Sequence, residues 1–235
     1  DFLYTATKLK GVRFSEKNGD IFWNEDLLND TISSLKQWTT DNNTSTTAES
    51  DFMFKYLYTP EYKWITEENV LFAYSTSEEL FSNAEEKIEK IDFRWLNAEG
   101  KIPIEDKFVS MGIYKKSSNM KNAEHFITWF LNEENQKLII EEMDNLNFVS
   151  YNFGIAGGFS SLKQVNEKYY PAFYRELFGN LPPENYICVP NILPARWESI
   201  LSNVIKPYLV DSTKTDAAAG KSLKERISEW EKQRY

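Results

Sequence analysis

Apolar positions recur along this chain with two spacings, about two and about 3.6 residues, and the changes from one to the other mark its elements. In "GVRFSEKNGDIFW" Val12 and Phe14, then Ile21 and Trp23, alternate with polar neighbours on either side of Asn18-Gly19. That dipeptide suits a two-residue turn with positive φ, so the stretch predicts a β-hairpin. "WNEDLLNDTISSLKQWTT" sets Leu28, Ile32, Leu35 and Trp38 on one helical face, with Asn24 as N-cap. Residues 41–50, "DNNTSTTAES", read as a polar loop, and their Asn-X-Ser/Thr triplets as loop composition. "SDFMFKYLYTPEY" fits both periods, since Phe52, Phe54, Tyr56 and Tyr58 alternate while Phe52, Tyr56 and Leu57 share a helical face; helix is preferred.

"NVLFAYS" is a short apolar run suited to a buried strand, and "TSEELFSNAEEKIEKI" after it predicts a helix through Leu80, Phe81, Ala84 and Ile88, capped by Thr76 or Ser77. "DFRWL" and "FVSMGIYK" read as strands on either side of the polar loop "NAEGKIPIEDK". "KKSSNMKNAEHFITWFLNEENQ" carries an apolar stripe of Ala123, Phe126, Ile127, Phe130 and Leu131, with Asn119 or Asn122 near its start. A further helix starts near Asn132 with Leu138, Ile139 and Met143. "FVSYNFGIAGGFSS" is a glycine-rich loop, followed by helices in "SLKQVNEKYYPAFYRELFG", in "PARWESILSNVIKPYL" with Trp197, Ile200, Leu201 and Val204, and in "DAAAGKSLKERISEWEKQ" with Leu223, Ile227 and Trp230. Alternation of strand and helix patterns predicts an α/β protein.

Composition narrows the function classes. The 235 residues suffice for one large domain or two small ones, and the net charge of −9 argues against nucleic acid or anionic lipid as partner. Aromatics are abundant at 15%, which fits both core filling and stacking on sugar rings. A single cysteine, Cys188, allows neither an internal disulfide nor a cysteine-based zinc site. No apolar run is long enough to span a bilayer. The chain opens on "DFLYTATKLKGV", a pattern already under way, without initiator Met or signal-peptide regions, and so reads as cut from a longer one.

Candidate catalytic groups fare poorly. The single histidine, His125, has Lys121, Asn122, Thr128 and Trp129 as its helical neighbours, none of them a metal ligand or a catalytic acid, and it faces away from the apolar stripe. The acidic pairs Glu78-Glu79, Glu85-Glu86, Glu133-Glu134 and Glu141-Glu142 lie on polar helix faces, where solvated charge accounts for them. "GIAGG", residues 154–158, lacks the Lys-Ser/Thr of a phosphate loop and reads as a turn. Past it, Ser160 or Ser161 is placed to cap the next helix, whose first amides are a plausible ligand contact. These residues imply no cofactor and no metal.

Taken in order, the segments resemble the C-terminal half of a bacterial ABC-transporter extracellular solute-binding protein of family 1, the maltose-binding-protein-like family. The resemblance rests on "GIYKKSSNMKNAEHFITWFLNEENQ", on "GGFSSLKQVNE", on "VPNILPARWESILSNVIKPYL", on "TDAAAGKSLKERISEWEKQ", and upstream on "FWNEDLLNDTISSLKQW" with "NVLFAYSTSEELF". Ala73-Tyr74-Ser75 departs from the Ala-Met and Trp-Ser common in the family, as does Ser160 from its usual Pro, and the ligand class stays open.

The resemblance implies an α/β fold of periplasmic-binding-protein type II, two lobes with solute held between them. Residues 1–107 and 132–235 would belong to the second lobe, and the strand and helix of 108–131 to a first lobe lying mostly before Asp1. The function it implies is non-catalytic capture of a small solute, a carbohydrate foremost, outside the cytoplasm at the periplasm or cell surface. Delivery would be to ABC permease subunits, with a lipid anchor supplied by residues before Asp1. By motif position the ligand contacts would be Tyr4, Tyr74, Ser75, Phe159, Ser160 and Trp197. Without the first lobe the chain would bind solute less tightly, and the 121–131 helix would expose Phe126 and Phe130 or cover them by self-association. Two other classes stay open: a carbohydrate-active enzyme fragment, such as a glycoside hydrolase with two convergent carboxylates, and a surface interaction module with an exposed apolar patch.

Overall fold

The computed structural model describes residues 2–82, 91–107, 109–149, 151–188, 193, 196–216, 218 and 220–233. Ala84 and Ile88 of the expected 76–91 helix, the Glu85-Glu86 pair, and Phe108 of the expected strand lie outside them. The chain divides into two compact units: unit 1 comprises residues 1–60, 94–107 and 183–235, and unit 2 residues 61–93 and 108–182. The helix Met120–Phe130 thus falls in the same unit as residues 132–182.

Unit 1 begins with the helix Phe2–Leu9, which ends at Gly11 with φ +93°. There the Val12 N–H reaches back to the Thr7 carbonyl and the Gly11 N–H to that of Lys8, each at 3.0 Å, a left-handed cap that glycine adopts without steric cost. The chain is thereby turned so that Val12 and Phe14 are buried. The hairpin follows: Ser15–Lys17 pairs with Asp20–Phe22, antiparallel, with Asn18 and Gly19 both at positive φ as its two-residue turn requires. Phe14 and Trp23 flank this ladder, their ring centroids 6.0 Å apart.

Asn24 accepts the Leu27 N–H at 2.9 Å and opens the helix Glu25–Asn43. Leu28 and Ile32 are buried, but Trp38 is 61% exposed and Thr39 takes the place expected for it. At 3.6 residues per turn, Trp38 points about 80° away from the Leu28 direction and Thr39 only about 20°. The expected loop of 41–50 is largely helical, because Ser45 accepts the Ala48 N–H at 3.1 Å and starts a second helix, Thr46–Tyr56. The core of the unit closes on the helical run 197–213, through Trp197, Ile200, Val204, Ile205 and Leu209, and on Leu223–Lys232, through Leu223 and Ile227. Asp211 ties these two together, accepting from Arg226 and from Lys214, each at 2.9 Å.

Unit 2 comprises the short helices Glu61–Thr66 and Ser77–Phe81, the helices Met120–Phe130 and Glu133–Asn145, and a helical run over 163–173. Thr76 and Glu79 form a reciprocal capping box on the second of these, and Asn132 caps the fourth. In Glu133–Asn145 the buried positions are Gln136 and Ile140, while Leu138 faces out.

Strand is scarcer than the sequence patterns suggest. Besides the hairpin, the described residues hold a two-residue parallel pairing of Ile102–Pro103 with Ile187–Cys188, inside the segment expected to be a loop. Residues 69–75, 92–96 and 109–115 carry no ladder, and Leu71 and Phe72 are 88% and 90% exposed. A β-prone run becomes a strand only when another segment supplies partners for its N–H and C=O groups. The stripe of Met120–Phe130 is only partly covered: Ala123, Ile127 and Phe130 are half-buried, while Phe126, 55% exposed, stacks on Trp129.

Both long helical runs contain a π turn, Val165–Tyr169 and Leu201–Ile205, in which Tyr170 N–H bonds the Val165 carbonyl and Lys206 N–H that of Leu201. Each is followed two residues on by proline, Pro171 and Pro207. Proline offers no N–H and its ring crowds the carbonyl four residues back, and a wider turn at that point relieves the crowding without ending the helix.

The caps make a paired prediction. Asn24→Ala removes a side-chain acceptor and should lower stability by about 1 kcal/mol in urea denaturation. Asn119→Ala, at an N-cap that makes no such bond, should leave it within about 0.5 kcal/mol.

Candidate functional site

The six expected ligand contacts fall into two groups, Tyr4 and Trp197 in unit 1 and Tyr74, Ser75, Phe159 and Ser160 in unit 2. Tyr4 is buried on the first helix with its ring centroid 6.4 Å from that of Trp197, and Phe14 packs against both. The Trp197 indole N–H, like that of Trp23, is buried and finds no hydrogen-bond partner among the described residues. The Tyr4 hydroxyl donates to the Asp106 carboxylate, whose other oxygen accepts from Lys8 Nζ at 2.7 Å. Lys8 Nζ donates as well to the Ile104 carbonyl. Burial, with the Asp106 charge beside it, pushes the Tyr4 phenol far above its ordinary pKa.

In unit 2 the site is built around the glycine-rich loop. Phe153 is fully buried, with Phe81 at 4.8 Å, Tyr174 at 5.0 Å and Phe159 edge-on at 4.9 Å between centroids. Phe159 in turn stacks on Tyr170 at 6.0 Å. Two hydroxyls from the following helical run fix the loop backbone. Tyr174 Oη accepts the Gly154 N–H and donates to the Asn152 carbonyl, both at 2.8 Å, and Tyr170 Oη donates to the Gly158 carbonyl at 3.0 Å. Burial pushes both phenols above their usual pKa.

Ser160 is tied on every side. Its hydroxyl donates to Gln136 Oε1 at 2.7 Å and accepts the Leu162 N–H at 3.0 Å; its N–H donates to Asn166 Oδ1 and its carbonyl accepts from Asn166 Nδ2, both at 2.8 Å. Tyr74 is half-buried and Ser75 exposed, just before the capped helix Ser77–Phe81. That helix lies against the loop: a Cβ added at Gly157 would sit 2.8 Å from Glu78 Oε1. Tyr74, Ser75, Phe159 and Ser160 are therefore borne on neighbouring segments.

Several residues around the expected contacts have no role in the sequence reading: Gln136, Asn166, Tyr170 and Tyr174 in unit 2, and Lys8 and Asp106 beside Tyr4 in unit 1. A partial signal existed in Tyr170 and Tyr174, which recur at i, i+4 directly after a glycine-rich loop and so present two hydroxyls on one face. His125 is exposed on its helix, and among the described residues no group of three or more His, Cys, Asp or Glu is placed to hold a metal ion. Among them, too, no helix is long and apolar enough to cross a membrane.

Two predictions follow from this packing. Gly154, at φ +62°, has no room for a side chain, since a Cβ would run into the Tyr170 hydroxyl and the Gly158 carbonyl. Gly154→Ala should cost about 3 kcal/mol in denaturant unfolding, against about 1 kcal/mol for Gly19→Ala, where φ is also positive but space is open. The raised phenols of Tyr4, Tyr170 and Tyr174 favour the neutral form in the folded state, so their contribution is complete below the unfolded tyrosine pKa of about 10 and is lost as pH climbs past it. Near-ultraviolet phenolate absorbance should show these three ionising only together with loss of circular dichroism. No family model matches the chain, and no curated protein or solved structure is found similar to it.

Proposed function

We propose that this chain is part of an extracytoplasmic solute-binding protein of the ABC-importer type, α/β and two-lobed. It captures a small polar solute, a carbohydrate foremost, without chemical conversion and delivers it to membrane permease subunits. The observation that carries this reading is the grouping of Tyr74, Ser75, Phe159 and Ser160 on neighbouring segments of unit 2. In proteins of this type closure around the ligand selects the state in which it is touched from both sides. The order of the sequence motifs supports the same reading. At that grouping the Tyr74 and Phe159 rings offer stacking faces to a sugar, and Ser75 lies exposed beside them.

Thermal-shift screening of monosaccharides, oligosaccharides and other small polar solutes, followed by calorimetry on the best, tests it. Binding should be reversible and should raise stability by about 2.7 kcal/mol when solute stands at a hundred times its Kd. Phe159→Ala should weaken the response to the same sugar. Release of new reducing ends from an oligosaccharide would replace the reading with an enzymatic one, and the absence of any shift at millimolar solute would end it.

A further inference from the structure

Residues 94–107 visit unit 1 between two stretches of unit 2, so both ends of this segment are crossings. Its apolar hold is slight. Ile102 alone among its residues is buried, and its ladder to Ile187–Cys188 is two residues long. Against this stands a charged cluster near the second crossing. Lys8 Nζ, on the helix Phe2–Leu9, donates to Asp106 Oδ1 at 2.7 Å and to the Ile104 carbonyl, and the Tyr4 hydroxyl, one turn earlier on the same helix, donates to Asp106 Oδ2. The Lys8 and Asp106 side chains are only 10% and 4% exposed. Arg13, the neighbouring cation, bonds the Lys8 and Val12 carbonyls and so closes the same corner.

A buried ion pair of this kind adds little over an apolar pair of the same shape, yet losing one member leaves the other charge buried and uncompensated. It therefore acts as a strict positional constraint on the two backbones that carry it. We propose that the Lys8–Asp106–Tyr4 cluster is the anchor of residues 101–107, the group that fixes them to the Phe2–Leu9 helix. The inference holds for any function of the chain and does not depend on solute binding.

Amide hydrogen exchange read by mass spectrometry on the whole chain tests it, comparing the unchanged protein with Asp106→Asn, Lys8→Met and the two combined. In each single variant the amides of 101–107 should lose protection by roughly a hundredfold, while those of the 197–213 helical run change by no more than about twofold. The combined variant leaves no unpaired charge and should regain much of the lost protection. Equal loss across the 197–213 run, or global unfolding of the single variants, would make the cluster a general stabiliser and overturn the proposal. Unchanged exchange at 101–107, or none to lose in the unchanged protein, would overturn it as well.

Discussion

Neither core of this molecule can close until segments far apart in the chain have met, because the chain changes unit four times. In unit 1, Phe14 packs with its ring centroid 5.4 Å from that of Trp197, so the N-terminal helix and hairpin depend on a helical run near the other end. In unit 2, Phe81 reaches Phe153 across a stretch that includes the whole of 94–107. Each such contact carries the entropy of closing a long loop, and large aromatic faces are suited to offset it because each buries so much surface. The high aromatic content, open in the sequence to two explanations, is at these positions a matter of cohesion.

Polar groups then specify what the aromatic contacts only hold together. The hydroxyls of Tyr170 and Tyr174 bond the backbone of the glycine-rich loop, and Asn166 and Gln136 bracket Ser160. Buried phenols and amides are costly unless paired, so the loop adopts the conformation in which they are. A solute approaching the Ser160 hydroxyl would compete with Gln136 for it. At Phe159, by contrast, the ring stays partly open to solvent, and contact there asks for no internal bond to break.

The parts legible in the sequence are those set by neighbours a few residues away. Asn18-Gly19 predicts its own turn because asparagine and glycine both tolerate positive φ, and Asn24, Thr76 and Asn132 mark helix starts by the amides whose hydrogen bonds they accept. Ser45 carries the same chemistry, but the Asn, Thr and Ser around it read as loop and hide the signal. The π turns before Pro171 and Pro207 had a local signal as well, a proline inside a strong helical pattern. Less of the candidate site was legible. Phe159 and Ser160 come from motif position within the resemblance, whereas Gln136 and Asn166 join Ser160 only through the fold.

By itself, then, the sequence determined turns, caps, helix positions and amphipathic stripes, since hydrogen bonds within a few residues decide those. Only the tertiary structure decided which stripes are covered and which β-prone runs find a ladder. Trp38 turned outward with Thr39 in its place, Leu71 and Phe72 stayed in solvent, and Phe126 is more than half exposed, although Trp38, Leu71, Phe72 and Phe126 read in sequence like core positions. The reason is physical: burial and strand pairing are properties of two surfaces, and a local pattern describes one of them.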